Sequence, residues 1–204
     1  MGLGLLRLFY AMQLASIAAL IPLLGARFER AELPGTSIGM LMATLPLGRI
    51  IATPIWAFLA DRYQVAGLVL RVACVASAVA GFVLARSTSL PVLGASMLAF
   101  AALRAPIGAI LDSFVMAELR REGKSLSEYG RTRLFGSLGF VLAVVAASWL
   151  ERWQLPSHWL ADAALVVGAV LSFRFPIAGQ GGPAPVLPAL RALLRQPFLV
   201  PLLL

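Results

Sequence analysis

The sequence predicts an all-α membrane protein: a bundle of six transmembrane helices followed by the truncated start of a seventh span. Three observations carry this prediction. The chain is 60% hydrophobic and 13% charged, whereas a soluble domain is about 45–50% apolar and about 25% charged. Its mean hydropathy is +0.90. Six apolar runs, each close to the roughly 20 residues that cross a bilayer core, are joined by short polar links in which most of the arginines lie.

The first expected span is Leu3 to Leu24, with Arg7 near its start and Gln13 inside it. Arg27 to Pro34 is a short loop of mixed charge. Thr36 to Leu59 is the second span and contains Pro46 and Pro54, which a spanning helix tolerates where neighbours re-satisfy the freed carbonyls. Asp61 to Ala66 is a tight turn. Gly67 to Ala85 is the third span, in which Ala73, Ser77 and Gly81 form a small-residue stripe suited to close helix packing. Arg86 to Ser89 links it to the fourth span, Leu90 to Met116, which holds Arg104 and Asp112. Ala117 to Gly130 is the most polar loop. Arg133 to Leu150 is the fifth span, Glu151 to His158 a loop, and Trp159 to Ile177 the sixth span.

Residues 1–177 therefore form the bundle. Residues 178–196 read as a cytoplasmic linker, rich in Gly and Pro at first and carrying Arg191 and Arg195 on a short interfacial helix. Residues 197–204 begin a seventh span that is cut short.

The net charge is +8. In this setting it is topogenic charge, and no nucleic-acid partner is expected. With the N-terminus in the cytoplasm, eleven basic residues fall on the inner side and four on the outer, with Arg49 and Arg104 left inside spans. That bias sets the N-terminus inside. Trp149, Trp153 and Trp159 surround the last outer loop as an interfacial belt. Cys74, the single cysteine, reads as structural filler, and His158, the single histidine, sits in an outer loop. No metal motif, catalytic group or cofactor is expected, so an intramembrane enzyme is set aside.

Two stretches carry a family resemblance. Pro46-Leu47 through Pro54-Ile55-Trp56 to Ala60-Asp61-Arg62 is similar to the second span and following loop of one branch of the major facilitator superfamily. It departs from the usual loop motif: Ala57 stands where a glycine is common, and no basic run follows. Tyr129-Gly130-Arg131-Thr132-Arg133-Leu134-Phe135-Gly136-Ser137-Leu138-Gly139-Phe140 is similar to the entrance of the fifth span in the same branch. The whole chain resembles the N-terminal six-helix half of such a transporter. The branch is that of lactose permease, phenylpropionate permease and the nucleoside–proton symporters, including the major facilitator superfamily associated group. The resemblance implies two six-helix bundles with substrate between them, in a bacterial inner membrane. The implied activity is secondary active transport, with proton symport of a small polar or anionic solute. The second bundle would come from a missing C-terminal half or from a second copy in a homodimer. The competing expectation is a non-transporting truncated copy or a membrane scaffold that binds a partner.

The candidate residues follow from cost. An ionisable group within a span marks function by default. Asp112 is the expected proton-coupling carboxylate, the proton being the coupling ion; the alternative is that it lies near the cytoplasmic end and pairs with Arg131 or Arg133. Arg104 and Asp112 are eight residues apart, on one helix face about two turns apart, too far to touch but able to line one cavity. Arg49 and Arg104 are expected to neutralise an anionic solute or to pair with Asp112. Gln13 is expected to bond solute or another helix. In the resembled branch the arginine matching Arg133 pairs with a fourth-span carboxylate and helps bind substrate; Asp112 lies a few residues from the aligned position. Arg131 is expected to anchor the cytoplasmic loop. Asp61 and Arg62 resemble the family's conformational latch.

Overall fold

A computed structural model describes residues 2–30, 32–155 and 158–177. The expected linker and seventh span lie outside the described residues. Within them the chain is helical: α1 (Leu3–Arg30), α2 (Gly35–Tyr63), α3 (Ala66–Arg86), α4 (Leu90–Arg121), α5 (Ser127–Arg152) and α6 (His158–Ser172). Five of these are long and apolar enough to cross a membrane, and α6 is a shorter apolar helix.

Several helices outrun their apolar stretches. The expected polar loop from Ala117 to Gly130 shrinks to residues 122–126, because α4 continues to Arg121 and α5 already starts at Ser127. The reason is propensity: Ala117, Glu118, Leu119, Arg120 and Arg121 are all strong helix formers. Hydropathy marks where the bilayer would end, not where the helix ends. The sixth element departs in the other direction. It stops at Ser172 rather than Ile177, and Phe173 to Phe175 form turns. Pro176 explains this, since its ring would collide with the carbonyl of Ser172 four residues back. The α2–α3 turn is tighter than expected. Gln64 closes α2 in the left-handed conformation at φ 53° and ψ 35°.

The helices pack in the order α5–α1–α6–α3–α4–α2, with slight contact between α1 and α4, α4 and α5, and α1 and α2. Lipid gives no hydrophobic drive between helices, so small residues that let backbones approach do the work. The buried face of α5 is Thr132, Gly136, Gly139, Ala143 and Ala147. A β-carbon at Gly139 would stand 2.5 Å from the carbonyl oxygen of Ala11 on α1. The α3 stripe of Ala73, Ser77 and Gly81 is buried, and a β-carbon at Gly81 would stand 2.6 Å from the side chain of Leu165 on α6. On α2, Gly48 lies against α4, where an added β-carbon would stand 2.9 Å from the oxygen of Leu98.

The core has two main parts. At one end Phe175 packs on Phe9 and Phe114, with ring centroids 4.9 and 5.2 Å away. At the other, Leu24, Leu84, Met97, Phe100 and Leu165 form a second cluster. Large apolar side chains on α2 and α5, among them Ile51, Phe58, Leu142 and Val145, are exposed.

Candidate functional site

Between α1, α2, α4 and α5 lies a cleft of about 520 Å³. Small-molecule sites commonly measure about 300–1,000 Å³. The weak contacts of α1 with α2 and of α4 with α5 leave it open. Its floor is apolar, from Ile17, Ile21, Leu45 and Phe100, and its polar groups are Tyr10, Gln13, Arg49, Arg104, Asp112, Arg133 and Ser137. Five of the expected site residues, Gln13, Arg49, Arg104, Asp112 and Arg133, therefore face one space from four helices.

Arg104 crosses from α4 to α1. Its Nη2 donates to the backbone carbonyl of Gln13 at 2.8 Å, and its guanidinium lies 5.2 Å from the Phe100 ring centroid. Its Nη1 is buried with no partner, as is Oε1 of Gln13. Gln13 is only 7% exposed, and its Nε2 approaches Sγ of Cys74 on α3 at 3.5 Å. The Arg104–Gln13 junction thus holds one unused donor and one unused acceptor, the two functions that a hydroxyl can match.

Asp112 is bound by Tyr10, whose hydroxyl donates to Oδ1. Arg133 does not pair with it in this structure: its Nη1 points to the hydroxyl of Tyr129, one turn back on α5, at 3.3 Å. Arg131 does not reach Asp112 either. It pairs with Glu128 at 2.7 Å. Asp112 faces α1, where Tyr10 is nearer than any α5 cation. Among the described residues no carboxylate forms an ion pair with Arg49, Arg104 or Arg133. The cleft therefore holds three unpaired cations and one carboxylate held by a tyrosine.

The remaining expected residues lie elsewhere. Asp61 and Arg62 are exposed at the end of α2, where Nε2 of Gln64 donates to the Asp61 carbonyl at 2.7 Å. Arg131 shares Glu128 with Arg7 of α1, which reaches it at 3.0 Å. Among the described residues no cluster of three His, Cys, Asp or Glu could hold a metal ion.

Sequence reasoning missed Tyr10, Glu128 and Trp56. Tyr10 was open to discovery, because it lies three residues before Gln13 and so shares its helix face. Glu128 hid in a stretch read as loop.

Residues 3–177 match the family described as MFS_1 like. The chain is 31% identical over 179 residues to the maltose permease of Geobacillus stearothermophilus, covering 86% of this chain and 45% of the permease. It is 29% identical over 172 residues to an uncharacterized transporter, YwbF, of Bacillus subtilis (strain 168), covering 82% of this chain and 42% of YwbF. The fold is similar to crystal structures of the nucleoside transporter NupG. One matches with a TM-score of 0.80 at 17% identity, over 86% of this chain and 44% of NupG. The chain spans about half the length of the curated relatives it matches. These relatives and neighbours are permeases and transporters rather than enzymes. The chain belongs to the MFS_1 like family, within the major facilitator type of membrane transporter.

Proposed function

We propose that this chain supplies one wall of the solute path in a proton-coupled transporter that works by alternating access. The observation that carries this reading is the convergence of Gln13, Arg49, Arg104, Asp112 and Arg133 on one cleft. Charge inside a spanning bundle is costly and is kept where it serves an ion or solute path. The solute is a small, hydroxyl-rich or anionic organic molecule. Unpaired cations would receive an anionic group, and the Arg104–Gln13 junction would receive a hydroxyl. Asp112 carries the coupling proton. When solute or a neighbouring cation displaces Tyr10, the carboxylate is released to exchange a proton with the cleft. A second bundle, from the rest of a longer protein or from a second copy, closes the other side of the path. The protein sits in a bacterial inner membrane with its N-terminus in the cytoplasm. Residues 178–196 link the bundles, and Asp61 and Arg62 latch them.

The test is Asp112→Asn in the full-length transporter in proteoliposomes with an imposed proton gradient. Labelled maltose and labelled nucleosides are the first probes, chosen from the relatives' names. Loss of gradient-driven accumulation with exchange retained is expected. Accumulation as in the parent removes Asp112 from the coupling role.

A further inference from the structure

Pro106 lies inside α4 and has no N–H to give to the carbonyl of Ala102 four residues back. That carbonyl is not left empty. The indole Nε1 of Trp56, on α2, donates to it at 2.9 Å. No hydroxyl on α4 itself can do this: Ser96 and Ser113 are bonded to the carbonyls of Leu93 and Ile110. In lipid, a freed backbone carbonyl without a partner is costly, so the indole is a brace rather than a chance contact.

The position of the break gives the brace its meaning. Arg104 and Asp112 lie on opposite sides of Pro106. The two side chains line one cleft, which their eight-residue spacing allows only while the turn at Pro106, short of one hydrogen bond, keeps helical geometry. We infer that Trp56 is a positioning residue: its indole replaces the donor that Pro106 removes, and so holds the α4 turn at Pro106 in the helical geometry that aims Arg104 at Gln13 while Asp112 meets Tyr10. The close approach of α2 and α4 at Gly48, where a β-carbon would stand 2.9 Å from the Leu98 oxygen, brings the ring within reach. Arg49, seven residues before Trp56, lies on the same side of α2 and lines the same cleft. One helix thus both contributes a cation and holds the geometry of the others.

The functional value of this brace rests on the reading of Arg104 and Asp112 as solute-path groups, but its test does not depend on transport. Cys74 touches Gln13 and reports whether the Arg104–Gln13 junction opens. The measurement is the rate at which N-ethylmaleimide alkylates Cys74 in membranes carrying the full-length protein, followed by mass spectrometry of its peptide. Trp56→Phe keeps an aromatic ring but removes the donor. It is expected to speed alkylation about fivefold, the scale set by one hydrogen bond to an otherwise unpaired buried group. Pro106→Ala restores the backbone N–H, so in that background Trp56→Phe is expected to change nothing further. An unchanged rate in Trp56→Phe, or the same acceleration with and without Pro106→Ala, overturns the inference. Should Trp56→Phe fail to reach the membrane, the double variant decides: recovery supports the brace, and continued failure overturns it.

Discussion

Tyr10 on α1 donates its hydroxyl hydrogen bond to Oδ1 of Asp112 on α4. Apart from this bond and that of Arg104 to the Gln13 carbonyl, the two helices touch only lightly, so the pair ties them across the cleft. Tyr10→Phe removes the donor and leaves a part-buried carboxylate unpartnered. A hydrogen bond to a charged group contributes about 1.5–3 kcal/mol. We expect a lower melting temperature in detergent for Tyr10→Phe. Groups in one network are non-additive, so Asp112→Asn combined with Tyr10→Phe is expected to cost less than the sum of the two. Strict additivity would show that the two side chains do not act as a pair.

Two glycines on neighbouring helices make opposite predictions. Gly139 on α5 lies against the α1 backbone, with an added β-carbon 2.5 Å from the Ala11 oxygen. A backbone cannot yield as a side-chain tip can, so Gly139→Ala is expected to cost about 1–3 kcal/mol by overpacking and to lower the melting temperature. Gly108 on α4 lines the cleft, and a β-carbon there meets nothing within 4 Å. Gly108→Ala is expected to fold as the parent or slightly better, since alanine favours the helix by about 1 kcal/mol. Gly108→Leu should also fold yet fill the cleft, which solute-uptake assays on the full-length transporter would read as loss without misfolding.

The exit of α6 is held by α3. The amide of Gly67 donates to the carbonyl of Ile177 at 3.1 Å, and Arg71 donates to the carbonyl of Phe175 at 2.6 Å and to that of Phe173 at 3.4 Å. Pro176 ends the helix, and these two groups satisfy carbonyls of the segment that follows it. A β-carbon at Gly67 would fall 1.7 Å from the Pro176 oxygen, so Gly67→Ala must push the segment off. We expect faster tryptic cleavage at Arg174 in Gly67→Ala, and a smaller increase in Arg71→Gln. Equal cleavage in all three proteins would mean that the segment is held by its apolar packing around Phe175 alone.

How far the sequence could be read depended on which physical signal each feature leaves. The apolar runs marked all six helices, and the spacing of Arg104 and Asp112 put them on one face. The every-fourth-residue spacing that finds Ala73, Ser77 and Gly81 on α3 also finds Gly139, Ala143 and Ala147 on α5, although only the first stripe was read. Helix ends were misplaced wherever polar helix formers continue past the bilayer, as at residues 117–121. Tyr10 was not among the partners weighed for Asp112, because charge was sought before hydrogen bonding and the arginines drew the attention. The bond from Trp56 to Ala102 joins residues 46 positions apart. Pro106 announces that a carbonyl needs a donor, but only the register of α2 on α4 says which side chain provides it.

Glu128 offers a last test, in which charge count and burial disagree. It accepts from Arg7 of α1 at 3.0 Å and from Arg131 of its own helix at 2.7 Å, with its side chain 20% exposed. The Arg131 side chain is 72% exposed and only three residues away. Such pairs are worth less than about 1 kcal/mol and weaken with salt. Arg7 is different. It joins two helices, lies 5.2 Å from the Phe135 ring centroid, and already has a buried Nε without a partner. Replacing its only carboxylate partner among the described residues by a neutral amide would exchange a charge-assisted bond for a weaker one. We therefore expect Arg131→Ala to be nearly silent in melting temperature at any salt concentration. Glu128→Gln should lower it clearly, and most of the deficit should persist in high salt because both side chains of the α1–α5 pair are part-buried. If high salt erases the difference between Glu128→Gln and the parent, the Arg7–Glu128 pair is an ordinary surface contact, and the α1–α5 pairing rests on the glycine face alone.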